Sequence, residues 1–494
     1  MRISTFRHLL WLALLSAVAP PTAAESLTGA APGLAFEPCE IRGSDGQRRL
    51  EVECANFDVA ADPTAPDGAT LGLFVVRIPA LTPEPAADAV TIVNGGPGAS
   101  SVSLYADLEG AFSALRRNRD IIVMDQRGTG RSAPLDCPAL DTVTYDFDAD
   151  AVRGATRACL DALDQDPRLF TTSLAVEDLE QLRQRLGYRR WNLYGVSYGT
   201  RVAQHYLRRY PDSVRTVILD GVVPPDLALG PDVALNAQQT LDAILRRCAE
   251  ADYCADAFPA PAAQFQRLRA RLEQAPVTVD IADPVSGRPR SVTLGYSHLA
   301  MTVRLLSYAP ETAALIPLVV READSGNFTP LAGQALRIEE QLQSAISFGM
   351  HNSVVCTEDV PFYRDLDAVR PALEASYLGA DQVRALEAIC ELWPRGRRHD
   401  DLGEPLRSDR PVLLLSGELD PITPPAYAER AAAGLDHSLH LVAPGQGHGV
   451  IARGCVPQLA EDFIEAAAVE GLDTECLDRL SADDFFVDLL GPSS

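Results

Sequence analysis

Three side chains in this sequence could together carry out acyl transfer. Gly195-Val196-Ser197-Tyr198-Gly199 matches the pattern G-x-S-x-G, in which small glycines let a serine project from a sharp strand-to-helix turn. A serine hydroxyl is a poor nucleophile at neutral pH and needs a general base, itself oriented by a carboxylate. His448 lies in the glycine-rich stretch Gly445-Gln446-Gly447-His448-Gly449, and Asp420 in Gly417-Glu418-Leu419-Asp420-Pro421. Glu418 is the alternative to Asp420 as the acid. Charge building up on a substrate carbonyl oxygen also needs two backbone N–H groups. Tyr198, directly after the serine, supplies one candidate. Gly96 in Asn94-Gly95-Gly96-Pro97-Gly98 supplies the other, because glycine lets the backbone approach a reacting carbonyl closely.

These residues must be positioned by strands and helices, and the chain has the pattern for them. Val90 to Val93 runs into the Gly95-Gly96 loop, Ile121 to Met124 into Asp125-Gln126-Arg127-Gly128, and Asn192 to Tyr194 into Gly195. Val217 to Leu219 runs into Asp220-Gly221, and Val412 to Leu415 into Ser416-Gly417. Short continuous apolar runs of this kind suit strands buried on both faces of a parallel sheet. After Gly199, Val202, Ala203, Tyr206, Leu207 and Tyr210 recur at helical spacing until Pro211 stops the run. Alternating strands and helices predict an α/β fold with a mostly parallel sheet flanked by helices. Asp420 and His448 then fall at the carboxyl ends of strands, where such sheets place their sites. From Val222 onward the pattern turns proline-rich and helical. Ser197 and Asp420 are 223 residues apart, where two strand–helix units need roughly 60. The organisation expected is a signal peptide over 1–24, a core over 25–221, a largely helical cap insertion over 222–404 and the rest of the core over 405–494.

The remaining features narrow the chemistry. With 43 basic and 68 acidic residues the net charge is −25, which argues against a nucleic-acid backbone or an anionic membrane as partner. All the basic residues are arginine, so Schiff-base chemistry and a P-loop lysine are excluded. Gly128-Thr129-Gly130-Arg131-Ser132-Ala133 imitates a dinucleotide fingerprint, but Pro134 and Pro138 break the helix it would have to open. Arg2 and Arg7, an apolar run from Leu9 to Ala19 and a small-residue end at Ala23-Ala24 read as an export signal. The run is too short to span a bilayer, so the mature protein is expected to be secreted or periplasmic and free of the membrane. Ten cysteines follow that segment, and an oxidising compartment predicts disulfides. Many connectivities are open; closure between sequential neighbours pairs Cys39 with Cys54, Cys137 with Cys159, Cys248 with Cys254, Cys356 with Cys390 and Cys455 with Cys476. No C-x-x-C occurs and no histidine sits at ligand spacing, so no metal site is expected.

Taken together, Gly95 to Gly98, Asp125 to Ser132, Gly195 to Gly199, Asp420, His448 and the Cys455–Cys476 segment resemble the prolyl iminopeptidase and tripeptidyl aminopeptidase group of α/β-hydrolases. The resemblance implies the α/β-hydrolase fold, with Ser197 as nucleophile, Asp420 as orienting acid, His448 as base, Gly96 and Tyr198 as oxyanion hole, and no cofactor. Asn94 departs from the histidine that many prolyl iminopeptidases carry there, which leans towards the tripeptidyl type. The expected activity is release of single residues or short peptides from amino termini. A carboxylesterase, or another hydrolase of small esters and amides with the same three residues, is the alternative. An aminopeptidase must hold an ammonium group, and the adjacent acids Glu358 and Asp359, beside Cys356, are the expected anchor.

Overall fold

The computed structural model describes residues 33–138 and 147–492; the expected signal peptide lies outside them. Nine strands form one sheet: β1 (Glu37–Arg42), β2 (Arg49–Ala60), β3 (Thr70–Ile78), β4 (Ala89–Val93), β5 (Ile121–Met124), β6 (Trp191–Val196), β7 (Val214–Asp220) and, after a long insertion holding the hairpin β8 (Val277–Ala282) and β9 (Pro289–Leu294), β10 (Val412–Gly417) and β11 (Ser438–Ala443). Their spatial order is β1-β2-β3-β5-β4-β6-β7-β10-β11. Along that order the pairs from β1 to β5 are antiparallel, and the pairs β5-β4, β4-β6, β6-β7, β7-β10 and β10-β11 are parallel.

The apolar runs form the centre of this sheet because they are covered on both faces. Every residue of β4, β5, β6 and β10 is buried. Alternate side chains point to opposite sides of a strand, and the two cores follow that period. Leu73, Val75, Val217, Leu219, Val412 and Leu414 pack on one side with Val202, Ala203 and Tyr206. Phe74, Val76, Ile218, Leu413 and Leu415 pack on the other with Tyr105, Phe112, Phe463 and Ile464. A one-residue slip in any central strand would exchange these two sets, so the register is tightly specified.

Between β7 and β10 the chain is helical, with its own apolar cluster that includes Ile244, Phe265, Leu268, Leu299, Val303 and Leu331. The stretch also holds the antiparallel hairpin β8–β9, paired from Val277–Leu294 to Ala282–Pro289, in a segment that the pattern alone left among the helices. A second departure concerns how this stretch packs. The helix Phe348–Glu358 sends Met350, Val354 and Val355 into the core of the main sheet, joined by Leu386 and Trp393. Ser347 also donates its N–H to the carbonyl of Gly98 at 3.0 Å, tying the insertion to the Gly95–Gly98 loop.

Five disulfides join sequential cysteines, from Cys39–Cys54 through Cys137–Cys159, Cys248–Cys254 and Cys356–Cys390 to Cys455–Cys476. Among the described residues no helix is long and apolar enough to cross a membrane.

Candidate active site

Strand β6 ends at Val196 and the helix Tyr198–Arg209 begins two residues later, so Ser197 must turn the chain alone. It does so at φ 56° and ψ −128°, a sparsely populated region for a residue with a side chain. The fold holds this strain in place. Ser197 donates its N–H to the carbonyl of Asp220 at 2.9 Å, and its own carbonyl accepts from Thr200. A Cβ on Gly199 would lie 2.2 Å from the carbonyl oxygen of Val93, so only glycine allows the helix to start this close to β4. A Cβ on Gly95 would lie 2.7 Å from that of Ser197. The Gly95-Gly96 backbone is thereby brought against the serine, and Gly96 and Ser197 line one cavity. Tyr198 opens the helix, so its N–H has no intrahelical acceptor.

His448 sits in the loop after β11, half-buried, with Nδ1 2.8 Å from Oδ2 of Asp420. Asp420 is fully surrounded by donors. Ile422 and Thr423 give their N–H groups to Oδ1 at 2.8 Å each, and the Thr423 hydroxyl reaches Oδ2 at 2.7 Å. With Nδ1 turned to this carboxylate, Nε2 of the neutral ring is left as a proton acceptor. Burial alone would lower the pKa of His448, but the charge and hydrogen bond of Asp420 outweigh it and hold the imidazole above its ordinary value. Burial would likewise raise Asp420, and His448 with the surrounding donors keeps it below the usual carboxylate range. Glu418 is occupied elsewhere, accepting the N–H of Gly445 at 2.7 Å.

Two further residues hold the histidine loop, and pattern reading passed over both. The backbone carbonyl of Tyr308, from the insertion, accepts the backbone N–H of His448 at 2.7 Å, and the Tyr308 ring stands edge-on to the imidazole, 5.3 Å between centroids. Asp220, at the end of β7, accepts the N–H groups of Val450 and Ile451 at 2.9 Å and so fixes the far side of the histidine loop. The Asp220-Gly221 step at a strand end was the signal available in the sequence.

The Asp125–Ser132 stretch is scaffolding. Asp125 is buried and accepts from the Ser100 hydroxyl at 2.7 Å and from the N–H groups of Val102 and Arg131 at 3.0 Å, anchoring the helix that follows the Gly95–Gly98 loop. Arg127 is wholly buried and forked onto Asp178 at 2.6 and 2.7 Å. Gly128 closes a tight turn onto the carbonyl of Ser132 at 2.8 Å, so the imitation of a dinucleotide loop opens no phosphate-binding helix.

Ser197 and His448 face one cavity of about 670 Å³, within the usual range for small-molecule sites. Its walls combine the Asn94–Pro97 loop with Arg304, Tyr308, Ile346, His351 and Gln382 from the insertion. The expected amine anchor is corrected here, because neither Glu358 nor Asp359 lines this cavity. Both are buried against Arg201, one turn beyond the serine on the same helix. Arg201 donates to Asp359 at 2.8 Å and stands 3.9 Å from Glu358. Glu358 also accepts from the N–H and hydroxyl of Thr172 at 2.8 and 2.7 Å. Burial pushes its carboxyl up to about 7 against the pull of Arg201. The Cys356–Cys390 tether exists, but it holds these acids towards the core. Removing one partner of a buried ion pair leaves an uncompensated charge, so Asp359→Ala is expected to destabilise the fold by about 3–5 kcal/mol, measured as a lowered melting temperature.

One cluster among the described residues brings side chains of metal-ligating type together. His205, His399 and Asp401 bring ligand atoms within 4.8 Å of one another. His205 is far in sequence from His399 and Asp401 and meets them only through folding. None of the three lines the cavity. His205 and His399 are already hydrogen-bonded at 2.8 Å, and burial, with His399 and two nearby arginines, pushes His205 down to about 3.

Comparison with known proteins agrees with this fold. The family model described as alpha/beta hydrolase fold matches residues 88–292, and that described as TAP-like protein matches residues 375–476. Over 426 residues the chain is 25% identical to the putative hydrolase YuaR of Escherichia coli, covering 82% of each. It is 24% identical over 482 residues to the serine protease Hip1 of Mycobacterium tuberculosis, covering 89% of this chain and 90% of that one. With the tripeptidyl aminopeptidase of Streptomyces lividans it shares 29% identity over 211 residues, 39% of each chain. The chain is a serine hydrolase of the alpha/beta hydrolase fold, with a TAP-like segment towards its C-terminus.

Proposed function

We propose that this enzyme is an exported serine peptidase that cleaves short peptides near their amino ends through an acyl-enzyme on Ser197. The observation that carries the proposal is the strained Ser197 turn opening into the same roofed cavity as the Asp420-oriented His448. In this reading Ser197 Oγ attacks the scissile carbonyl while His448 Nε2 takes its proton. Asp420 holds the imidazole in the Nδ1–H tautomer and offsets its positive charge. The N–H groups of Gly96 and Tyr198 stabilise the negative oxygen of the tetrahedral intermediate. His448 then gives the proton to the leaving amine, and water, deprotonated by the same histidine, releases the acyl group. Residues 222–404 act as the roof that restricts the site to small substrates or chain ends. Names of relatives, an aminopeptidase and a serine protease among them, favour peptides as substrates. Five disulfides favour an oxidising compartment.

A small-ester hydrolase is the second reading, favoured by a specific observation: among the described residues that line the cavity there is no aspartate or glutamate to hold an ammonium group. Mass spectrometry of products from a defined peptide panel, with free and acetylated amino termini, separates the two. The peptidase reading expects short amino-terminal fragments from the free peptides; hydrolysis of esters with intact peptides would overturn it.

The pH profile follows from the imidazole. His448 must be unprotonated to act as base, and Asp420 holds its pKa above the ordinary value. The acid limb of kcat/KM is therefore expected to have its midpoint above about 6.5. A limb centred below that value would contradict the proposed base.

A further inference from the structure

We infer that Arg304 anchors a carboxylate of the substrate, so that the site described above selects anionic peptides; this rests on the peptidase reading. Arg304 lies on the helix Tyr296–Leu306 and lines the cavity together with Ser197 and His448. It precedes by four residues the Tyr308 whose carbonyl holds the His448 backbone, and its charge acts on His448 to lower its pKa. The side chain hydrogen-bonded to the guanidinium is neutral. Nη1 donates to the amide oxygen of Gln382 at 3.2 Å, and the guanidinium lies close enough to the Tyr308 phenol for its charge to act on it. Nε is buried without a partner. Among the described residues no carboxylate forms an ion pair with Arg304.

The contrast with Arg453 is informative. These two arginines are the only charged side chains among the described residues lining the cavity, apart from histidine, and Arg453 is neutralised by Glu311. Much of the remaining wall is apolar, including Val223, Leu229, Val233, Leu305 and Ile422. A cation in such a wall is costly unless it is paired, and a planar guanidinium matches a carboxylate through two parallel hydrogen bonds. The chain as a whole carries −25, so it supplies no general attraction for anions. Selection for a negative substrate must come from this local charge. The carboxylate has two sources in a short peptide, its free C-terminus or an acidic side chain, and the chemistry of capture is the same.

The test compares isosteric pairs under steady-state conditions: peptides with a free acid against an amidated C-terminus, and with Glu against Gln at each position. A neutral p-nitrophenyl ester serves as reference. For wild-type enzyme, kcat/KM is expected to favour at least one carboxylate over its neutral partner by about 10–100-fold, mostly through KM. The pair that shows the preference identifies the source. In Arg304→Gln the ratio should fall to about one, with peptide cleavage losing more than ester turnover; Arg304→Lys should keep part of the preference. A wild-type ratio near one for every pair, or an unchanged ratio in Arg304→Gln, would overturn the anchor. The wild-type comparison stands even if a variant does not fold. Failure of the underlying reading looks different: wild-type enzyme would cleave no peptide while hydrolysing the ester, or Ser197→Ala would still cleave peptides.

Discussion

Ser197→Ala lowers kcat on peptide and ester alike by about 10⁴–10⁶-fold, with the fold unchanged, if the acyl-enzyme mechanism holds. The reason lies in what a methyl group cannot do. Without Oγ there is no atom to bond to the carbonyl carbon, and only the oxyanion donors and the cavity walls remain to assist direct attack by water. The variant should keep its melting temperature or gain slightly, because Ser197 is held by backbone hydrogen bonds to Asp220 and Thr200 rather than by its hydroxyl. Steady-state assays with circular dichroism on the same preparation decide the matter. Substantial turnover in a folded variant would remove Ser197 from the mechanism.

Asp420→Asn should cost about 10⁴-fold in kcat, although the shape of the side chain is nearly preserved. An amide can turn either end towards His448 and no longer fixes a proton on Nδ1 or offsets a positive ring. Thr423 would still reach both groups, being 2.7 Å from Asp420 and 3.1 Å from His448, so the loop should not collapse. With the charge removed, burial, the largest single influence on His448, is no longer offset by Asp420, and the acid limb of the residual activity should move to lower pH. His448→Ala should cost as much as Ser197→Ala, and the double variant should be little worse than either alone, because residues that act as one unit lose their function together. Additive losses in the double variant would mean that the two residues act separately.

Much of the architecture was legible because its signals are local. Val90–Val93, Ile121–Met124 and Val412–Leu415 announce buried strands by composition, and the residues that could do chemistry sit directly after such strands. What could not be read depends on partners distant in sequence. Asp359 looked like an available acid because its partner Arg201 is 158 positions away, and nothing local marks a carboxylate as already neutralised. The β8–β9 hairpin was hidden inside a stretch dominated by helical periodicity. Tyr308 and Arg304 belong to an amphipathic helix and the turn after it, where pattern alone reads core and surface, and only folding of the insertion onto the sheet brings them to His448.

The site of covalent capture is the most direct test of Ser197 as the nucleophile. The enzyme would be treated with a fluorophosphonate, measured intact by mass spectrometry, then digested and mapped. The expected result is a single adduct on the peptide containing Ser197, formed in parallel with loss of activity, absent from Ser197→Ala and strongly slowed in His448→Ala. An adduct on another residue, or inactivation-resistant turnover by a fully labelled protein, would contradict the proposal that Ser197 is the nucleophile.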